Sequence, residues 1–409
     1  MHQVHDPPSV GKTLMARSLA NPVVHLASDQ QRARARGIDP SGGPTCRACR
    51  SRVGSLVLDL GQQPAAEHFP PEAEPGPDEA HPLQMWLCGT CCLAQLLGVS
   101  PECGDSPGLQ PAAFAAQAAD ALERVSAAGY LPRGARFAEY RSPHGSSWAN
   151  IVASYDLTEA PEYEPADVVL DSFGLMHVAD QAIALTERAA RVAPGGVLLL
   201  QYHALDAIVA QGQWNVLRHG HYAYHSTTAL VKLLAFIGFA VRTSWRFDLL
   251  GGTAMLAAAR SGEVTVPDSS VASLLRRDEA LGVTDAAVLH SLQRRAEAHA
   301  AQLHGWLTNE QRCGRGVVGY GAASRAVPLL IQAGVNRELL HGVIDASAIK
   351  QGRRMPGTDI PILPLHTIAE HRFESVLLFV PDLLPEVRAA FPEVEARNAR
   401  WVDAMAPCG

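Results

Sequence analysis

Two hydrophobic periods alternate along most of the chain. ADVVLDSF (166–173) and VLLLQY (197–202) are near-continuous apolar runs, the pattern of strands buried on both faces of a mostly parallel sheet. Between them Gln181 to Ala193 reads as a helix, closed by the turn Pro194-Gly195-Gly196. Upstream, Pro111 to Ala127 is dense in strong helix formers and stops at Gly129, and Arg136 to Tyr140 predicts a first strand. Downstream, Ser226 is a good N-cap for a further helix, with strands over Val241–Phe247 and Ala254–Ala258. Leu289, Leu292, Ala296, Ala300, Leu303 and Leu307 recur at steps of three and four, so Asp285 to Thr308 is expected to be an amphipathic connecting helix. A second α/β rhythm then runs through GVVGYGAASRAVPLLIQAG, GVIDAS, SVLLFVP and ARWVDAM. The expected class is α/β with two Rossmann-like units, the C-terminal one smaller.

Length and charge narrow this further. A chain of 409 residues exceeds the size at which single cores stop growing, so several domains are expected. The boundaries read as a lead segment 1–44, a cysteine-bearing unit 45–106, an α/β domain 107–262, connecting helices 263–312 and a C-terminal α/β domain 313–409. A formal charge of −7 gives no broad cationic face for a phosphate backbone, which argues against nucleic acid as the partner. No membrane-length apolar run and no secretory pattern stand out, so the expected compartment is the cytoplasm. Gly11-Lys12-Thr13 lacks the partner glycine and preceding strand of a phosphate loop.

Four of the eight cysteines form two Cys-x-x-Cys pairs, Cys46/Cys49 and Cys88/Cys91. Each pair makes a tight turn with both sulfurs inward, and together they predict one tetrahedral structural Zn2+ with no open position for water. Cys92 is a candidate substitute ligand, while His68 and His81 read as ordinary histidines. Gly319 to Ser324 lies between a strand and a helix, where small residues let backbone amides approach a phosphate.

TCRAC, LDLGQQPAAEHF and HPLQMWLCGTCCLAQLL resemble the zinc-binding front of the deoxysugar C-methyltransferases, which methylate a carbon of a nucleotide-linked 4-keto sugar with S-adenosylmethionine. The likeness continues at WNVLRHGHYAYHSTTAL, at LLGGTAMLA and through the tail to VIDASAIKQGRRMPGTDIPI, covering most of Thr45 to Met405. It implies a zinc-binding N-terminal domain, a shortened methyltransferase-type core and a C-terminal Rossmann-like domain. It also implies a small-molecule substrate of secondary metabolism such as antibiotic biosynthesis. By position His221 is the carried-over general base, with Tyr222, Tyr224, His219 and His177 around it. Glu139, Ser142, Gly145, Asp171 and Ser172 fall where the family holds its cofactor. Gly321, Ser324, Arg325, Lys350 and Arg353 fall where it holds the nucleotide sugar.

The chain departs from the family at the cofactor loop. Glu139-Tyr140-Arg141-Ser142-Pro143-His144-Gly145 keeps Glu139 and Gly145 but carries a bulky arginine, a proline and a histidine in place of an acid. The gap to the ADVV strand is too short for a helix, a strand and a second helix. Arg218, Gly220 and Gln201 stand where the family has Tyr, Glu and Glu. Three functions fit: a C-methyltransferase with an altered cofactor pocket, a cofactor-independent proton-transfer enzyme with His221 as base, and a non-catalytic partner protein.

Overall fold

A computed structural model describes residues 43–98, 100–101, 111–143, 147–263 and 267–407. The lead segment to residue 42, and Gly145, lie outside them.

The central sheet has the order β5-β4-β6-β7-β10-β9, from Thr158–Glu159, Arg136–Arg141, Ala166–Ser172, Val192–His203, Thr253–Arg260 and Phe239–Phe247 respectively. The first four strands are parallel, and β10 runs antiparallel to both β7 and β9. Its two faces are covered differently. Helix α1 (Ala112–Ala127) packs Ala118, Ala121, Leu122 and Val125 onto Phe137, Leu170, Leu199 and Met255. The opposite face takes the later helices, through Ala184, Leu185, Leu230 and Leu234.

The short gap after β4 has a definite solution. A five-residue helix α2 (Ala149–Ala153) and the two-residue β5 are followed directly by β6, with no second helix. Beyond β6, α3 (Gln181–Arg191) starts where Asp180 Oδ1 accepts from Ile183 N at 3.1 Å. Between β7 and β9 lie α4 (Leu205–Gln211) and α5 (Thr227–Phe236), the latter capped by Ser226 as its sequence predicts.

The front sheet has the order β1-β2-β3-β8, from Gly54–Pro64, Ala80–Cys88, Ala94–Leu97 and Ala223–Tyr224. Its last strand is supplied by the middle of the chain, with Ala94 opposite Tyr224. After β10 comes α6 (Ser269–Ala280). The predicted connecting helix divides at His290 into α7 (Ala286–Leu289) and α8 (Ser291–Arg312). Beyond it, a parallel sheet β13-β12-β11-β14-β15 uses Ile362–Leu363, Val343–Ile344, Val317–Tyr320, Ser375–Leu378 and Arg400–Asp403, with α9 (Ala326–Gln332) after β11. One apolar core joins the front sheet (Leu58, Met85), the segment after α4 (Trp214), α8 (Leu303) and the tail (Leu330, Val343). No helix among the described residues is long and apolar enough to cross a membrane.

Candidate functional site: a four-cysteine centre and a three-walled cleft

The two Cys-x-x-Cys turns face each other across the front sheet. The sulfurs of Cys46, Cys49, Cys88 and Cys91 all lie within 4.8 Å of one another, with Cys46–Cys91 and Cys49–Cys88 both at 3.5 Å. A tetrahedron with Zn–S bonds of ~2.3 Å needs sulfur separations of about 3.8 Å, so the spacing fits. The amides of Ala48 and Cys49 point at Cys46 Sγ at 3.4 Å, and those of Thr90 and Cys91 at Cys88 Sγ at 3.4 and 3.5 Å. Four sulfurs this close ionise together only around a cation. They form a closed zinc site of structural type. Arg47, between the first two cysteines, is buried and donates to Leu96 O, Gly98 O and Ala179 O, with its guanidinium over the Tyr222 ring at 4.9 Å. The zinc turn is thereby fastened to the central domain.

A cleft of about 300 Å³ opens where the three units meet. Glu67 and Phe69 come from the front unit, Ser142, Ser172, His177 and His221 from the centre, and Ser324, Arg325, Lys350 and Asp382 from the tail. The carboxyl ends of β4, β6 and β7 form its floor, where open α/β sheets bind ligands.

Gly220 decides which histidine faces this cleft. Its φ of +84° is a left-handed turn, which a side chain would strain, and it sends His219 and His221 different ways. His221 lines the cleft. His219 is buried against the front unit, with Nε2 donating to Pro82 O at 3.3 Å and its ring edge-on to His81, and burial pushes its pKa down. His221 Nε2 accepts from Arg218 Nε at 2.9 Å, so the neutral ring carries its proton on Nδ1. Arg218 also lies 3.7 Å from the Glu67 carboxylate. His177 packs edge-on against His221, ring centroids 4.5 Å apart. The Gly220 carbonyl, 3.1 Å from His177 Nδ1, can only accept, so His177 Nε2 accepts a hydrogen bond from the Ser142 hydroxyl at 3.1 Å. Tyr224 also lines the cleft, and burial pushes its hydroxyl pKa well up. Tyr222 instead packs under Arg47, outside the lining.

Around the cofactor candidates, strand parity separates the residues. Ser142 and Ser172 line the cleft with the rings of Trp148 and Phe173. Asp171 points to the other face, fully buried, with its carboxylate on Arg188 Nε at 2.5 Å and accepting from Leu175 N at 3.0 Å. It therefore does not reach a cleft ligand. The Glu139 carboxylate is occupied by Ser147 Oγ at 2.5 Å and Trp148 N at 2.9 Å, closing the loop after β4.

In the tail, Gly321 has φ +88°, and a Cβ there would lie 2.8 Å from Val380. Two of the loop's amides are already used: Ala322 N donates to Asp345 Oδ2 at 2.7 Å and Ala323 N to Gly321 O at 2.7 Å. Ser324, Arg325 and Lys350 line the cleft. Arg325 pairs with Asp382 at 2.9 Å, and Lys350 Nζ sits 4.8 Å over the Phe69 ring and donates to Ala322 O at 2.7 Å. Arg353 does not reach it, because its guanidinium is spent on Phe69 O at 2.7 Å and Ile349 O at 2.9 Å.

Sequence reasoning missed Gln117 and His203, both in the lining. His203 is displaced by burial to a pKa of about 4, which keeps it neutral.

Against known proteins, a family model described as the C-methyltransferase C-terminal domain matches residues 248–406. A second, described as "Putative zinc binding domain", matches residues 46–102. The C-methyltransferase NovU of Streptomyces niveus is 26% identical over 211 residues, 52% of this chain and 50% of NovU, so the match spans about half the length of that relative. Among solved structures, the magnesium protoporphyrin IX methyltransferase of Synechocystis PCC 6803 aligns over 36% of this chain and 83% of its own, at 15% identity and TM-score 0.26. An S-adenosylmethionine-dependent methyltransferase of Thermotoga maritima aligns over 36% and 95%, at 12% identity and TM-score 0.25. The chain thus carries a match to a zinc-binding domain at its front, which includes the four-cysteine cluster, and a match to a C-methyltransferase C-terminal domain in its tail.

Proposed function

We propose that this protein is an S-adenosylmethionine-dependent C-methyltransferase acting on a nucleotide-linked keto sugar, with His221 as general base. The observation that carries the reading is one cleft in which His221, Arg325 and Lys350 meet, at the junction of the zinc-binding, central and C-terminal units. Carbon beside a ketone becomes nucleophilic only by losing a proton, and an imidazole with an accepting nitrogen in the cleft is suited to take it. The proton moves to His221 Nε2, and Arg218, now holding that nitrogen, must swing aside. Its cation then faces the enolate oxygen that forms. Arg325 and Lys350 supply positive charge for a diphosphate at the other end. The uncharged hydroxyls and rings of Ser142, Ser172, Trp148 and Phe173 would hold the cofactor, which supplies an electrophilic methyl group when bound.

Two measurements test this. Calorimetric titration of S-adenosylmethionine is expected to show saturable binding, and no heat together with no thermal shift at high ligand would sink the cofactor half. Deuterium exchange from solvent into a nucleotide-linked 4-keto sugar reads the base, and exchange unchanged in His221→Gln would remove His221 from the role.

A further inference from the structure

At the carboxyl end of β7, under α1, several buried polar atoms have no hydrogen-bond partner. They are Gln117 Nε2, Gln201 Oε1, His203 Nε2 and Thr253 Oγ1, and Gln117 and His203 also line the cleft. Gln201, Thr253 and Gln117 are 2%, 0% and 9% exposed. Strand geometry explains the clustering. Residues 199, 201 and 203 of β7, and 253 and 255 of β10, share the face that α1 covers, with Thr253 directly opposite His203 and Met255 opposite Gln201. Gln117 reaches down from α1, and its Oε1 accepts from Gln201 Nε2 at 2.6 Å, which satisfies only half of each amide.

A buried polar atom without a partner destabilises a fold, and a cluster beside an open cleft indicates a ligand that completes the bonds. The chemistry of the orphans restricts that ligand. Gln201 Oε1 can only accept, Gln117 Nε2 can only donate, and Thr253 Oγ1 can do either. A phosphate or carboxylate would leave the acceptor unpaired, and an ammonium would leave the donor unpaired. A hydroxyl donates and accepts at once and carries no charge. All four side chains here are uncharged, His203 being held neutral by burial. We infer that Gln117, Gln201, His203 and Thr253 form a hydroxyl-recognition corner of the cleft that receives the sugar ring of the substrate. The inference rests on the substrate class proposed above. A ribose hydroxyl of the cofactor offers the same chemistry, so the test separates the two.

The experiment compares the full chain with the double variant Gln117→Leu/Gln201→Leu, because either change alone would strand the other amide's bonded atom. Melting temperature is measured without ligand. Affinities are measured by calorimetry for thymidine and uridine diphosphate glucose, for the matching nucleoside diphosphates, and for S-adenosylhomocysteine. Removing both incompletely bonded buried amides together is expected to raise the melting temperature, as binding sites are built at the expense of stability. A fall or no change overturns the corner, whatever binds. Glucose is expected to tighten binding over the bare diphosphate, about tenfold for one or two good hydrogen bonds, and the double variant is expected to lose that increment while keeping diphosphate affinity. An increment intact in the variant overturns the sugar assignment, and weaker S-adenosylhomocysteine binding in it moves the corner to the cofactor. If no nucleotide sugar binds wild type although the melting temperature rises, the proposed substrate class fails. The corner then stands only if S-adenosylhomocysteine binding weakens in the variant, and unchanged affinity overturns it.

Discussion

Arg218 and His221 carry the most consequential contact in the cleft, a guanidinium Nε 2.9 Å from the imidazole nitrogen that would act as base. If proton abstraction runs through that nitrogen, His221→Gln is expected to lower solvent deuterium exchange by roughly 10²–10⁴-fold, the usual worth of a positioned general base. Arg218→Met leaves the base and removes the cation that faces the enolate, so exchange is expected to fall by about 10²-fold while the melting temperature holds. Exchange equal to wild type in Arg218→Met would confine that arginine to joining Glu67 of the front unit to the centre. How far single residues could be read in the sequence depended on whether they sit in a pattern. The cysteine quartet did, because spacing alone sets its geometry. Asp171 falls by resemblance where the family holds its cofactor, yet the two-residue period of a strand turns it to Arg188 while its neighbour Ser172 faces the cleft. His203 and Gln117 carried no signal, one a lone histidine beyond an apolar strand and the other a polar residue in an alanine-rich helix.

Helices and strands were legible where composition alone decides them, and less so where tertiary pairing does. Ser226 announced α5, and its Oγ accepts from Ala229 N at 3.0 Å. The two-residue β5 and β8 have no periodicity to read, and exist because β4 and β3 offer them an edge. The start of α5 also depends on a group from a later helix. Asp278 in α6 accepts from Thr228 N at 2.7 Å and Thr228 Oγ1 at 2.9 Å, both at the same carboxylate oxygen. Burial is the largest influence on that carboxyl and raises it from 3.8 to about 6, against the Thr228 bonds that favour its charge. A folded-state pKa raised in this way gives stability that is complete below about pH 4 and is lost as pH rises through about 6. Asp278→Asn can keep both bonds through its amide oxygen without ionising. The variant is therefore expected to gain on wild type between about pH 4 and 6, reaching about 3 kcal/mol above that range. Urea unfolding across the range checks this, and a difference that does not vary with pH would show that Asp278 does not titrate with folding.

Over the whole molecule the zinc centre bears on more than the front unit. That unit gives the cleft Glu67 and Phe69, borrows β8 from the centre, and is tied to the tail by Arg353 on Phe69 O, Arg354 on Asp78 and Gln332 on Leu60 O. Its apolar residues lie in the same core as Trp214, Leu303 and Leu330. Structural zinc binding is worth roughly 10–16 kcal/mol in isolated zinc-finger peptides, comparable with the whole stability of a domain at about 5–15 kcal/mol. A module that depends on its metal to this extent, and shares a core with its neighbours, cannot unfold without exposing their apolar surface. Chelation, or Cys49→Ser, is therefore expected to shift one cooperative thermal transition downward, with loss of nucleotide-sugar binding in step, and native mass spectrometry is expected to find one zinc ion per chain. Scanning calorimetry with and without a chelator gives the decisive comparison. A small early transition that appears while the main one stays in place would mean that the front unit melts alone. The zinc centre would then stabilise only its own sheet, and the cleft would keep its central and C-terminal walls without it.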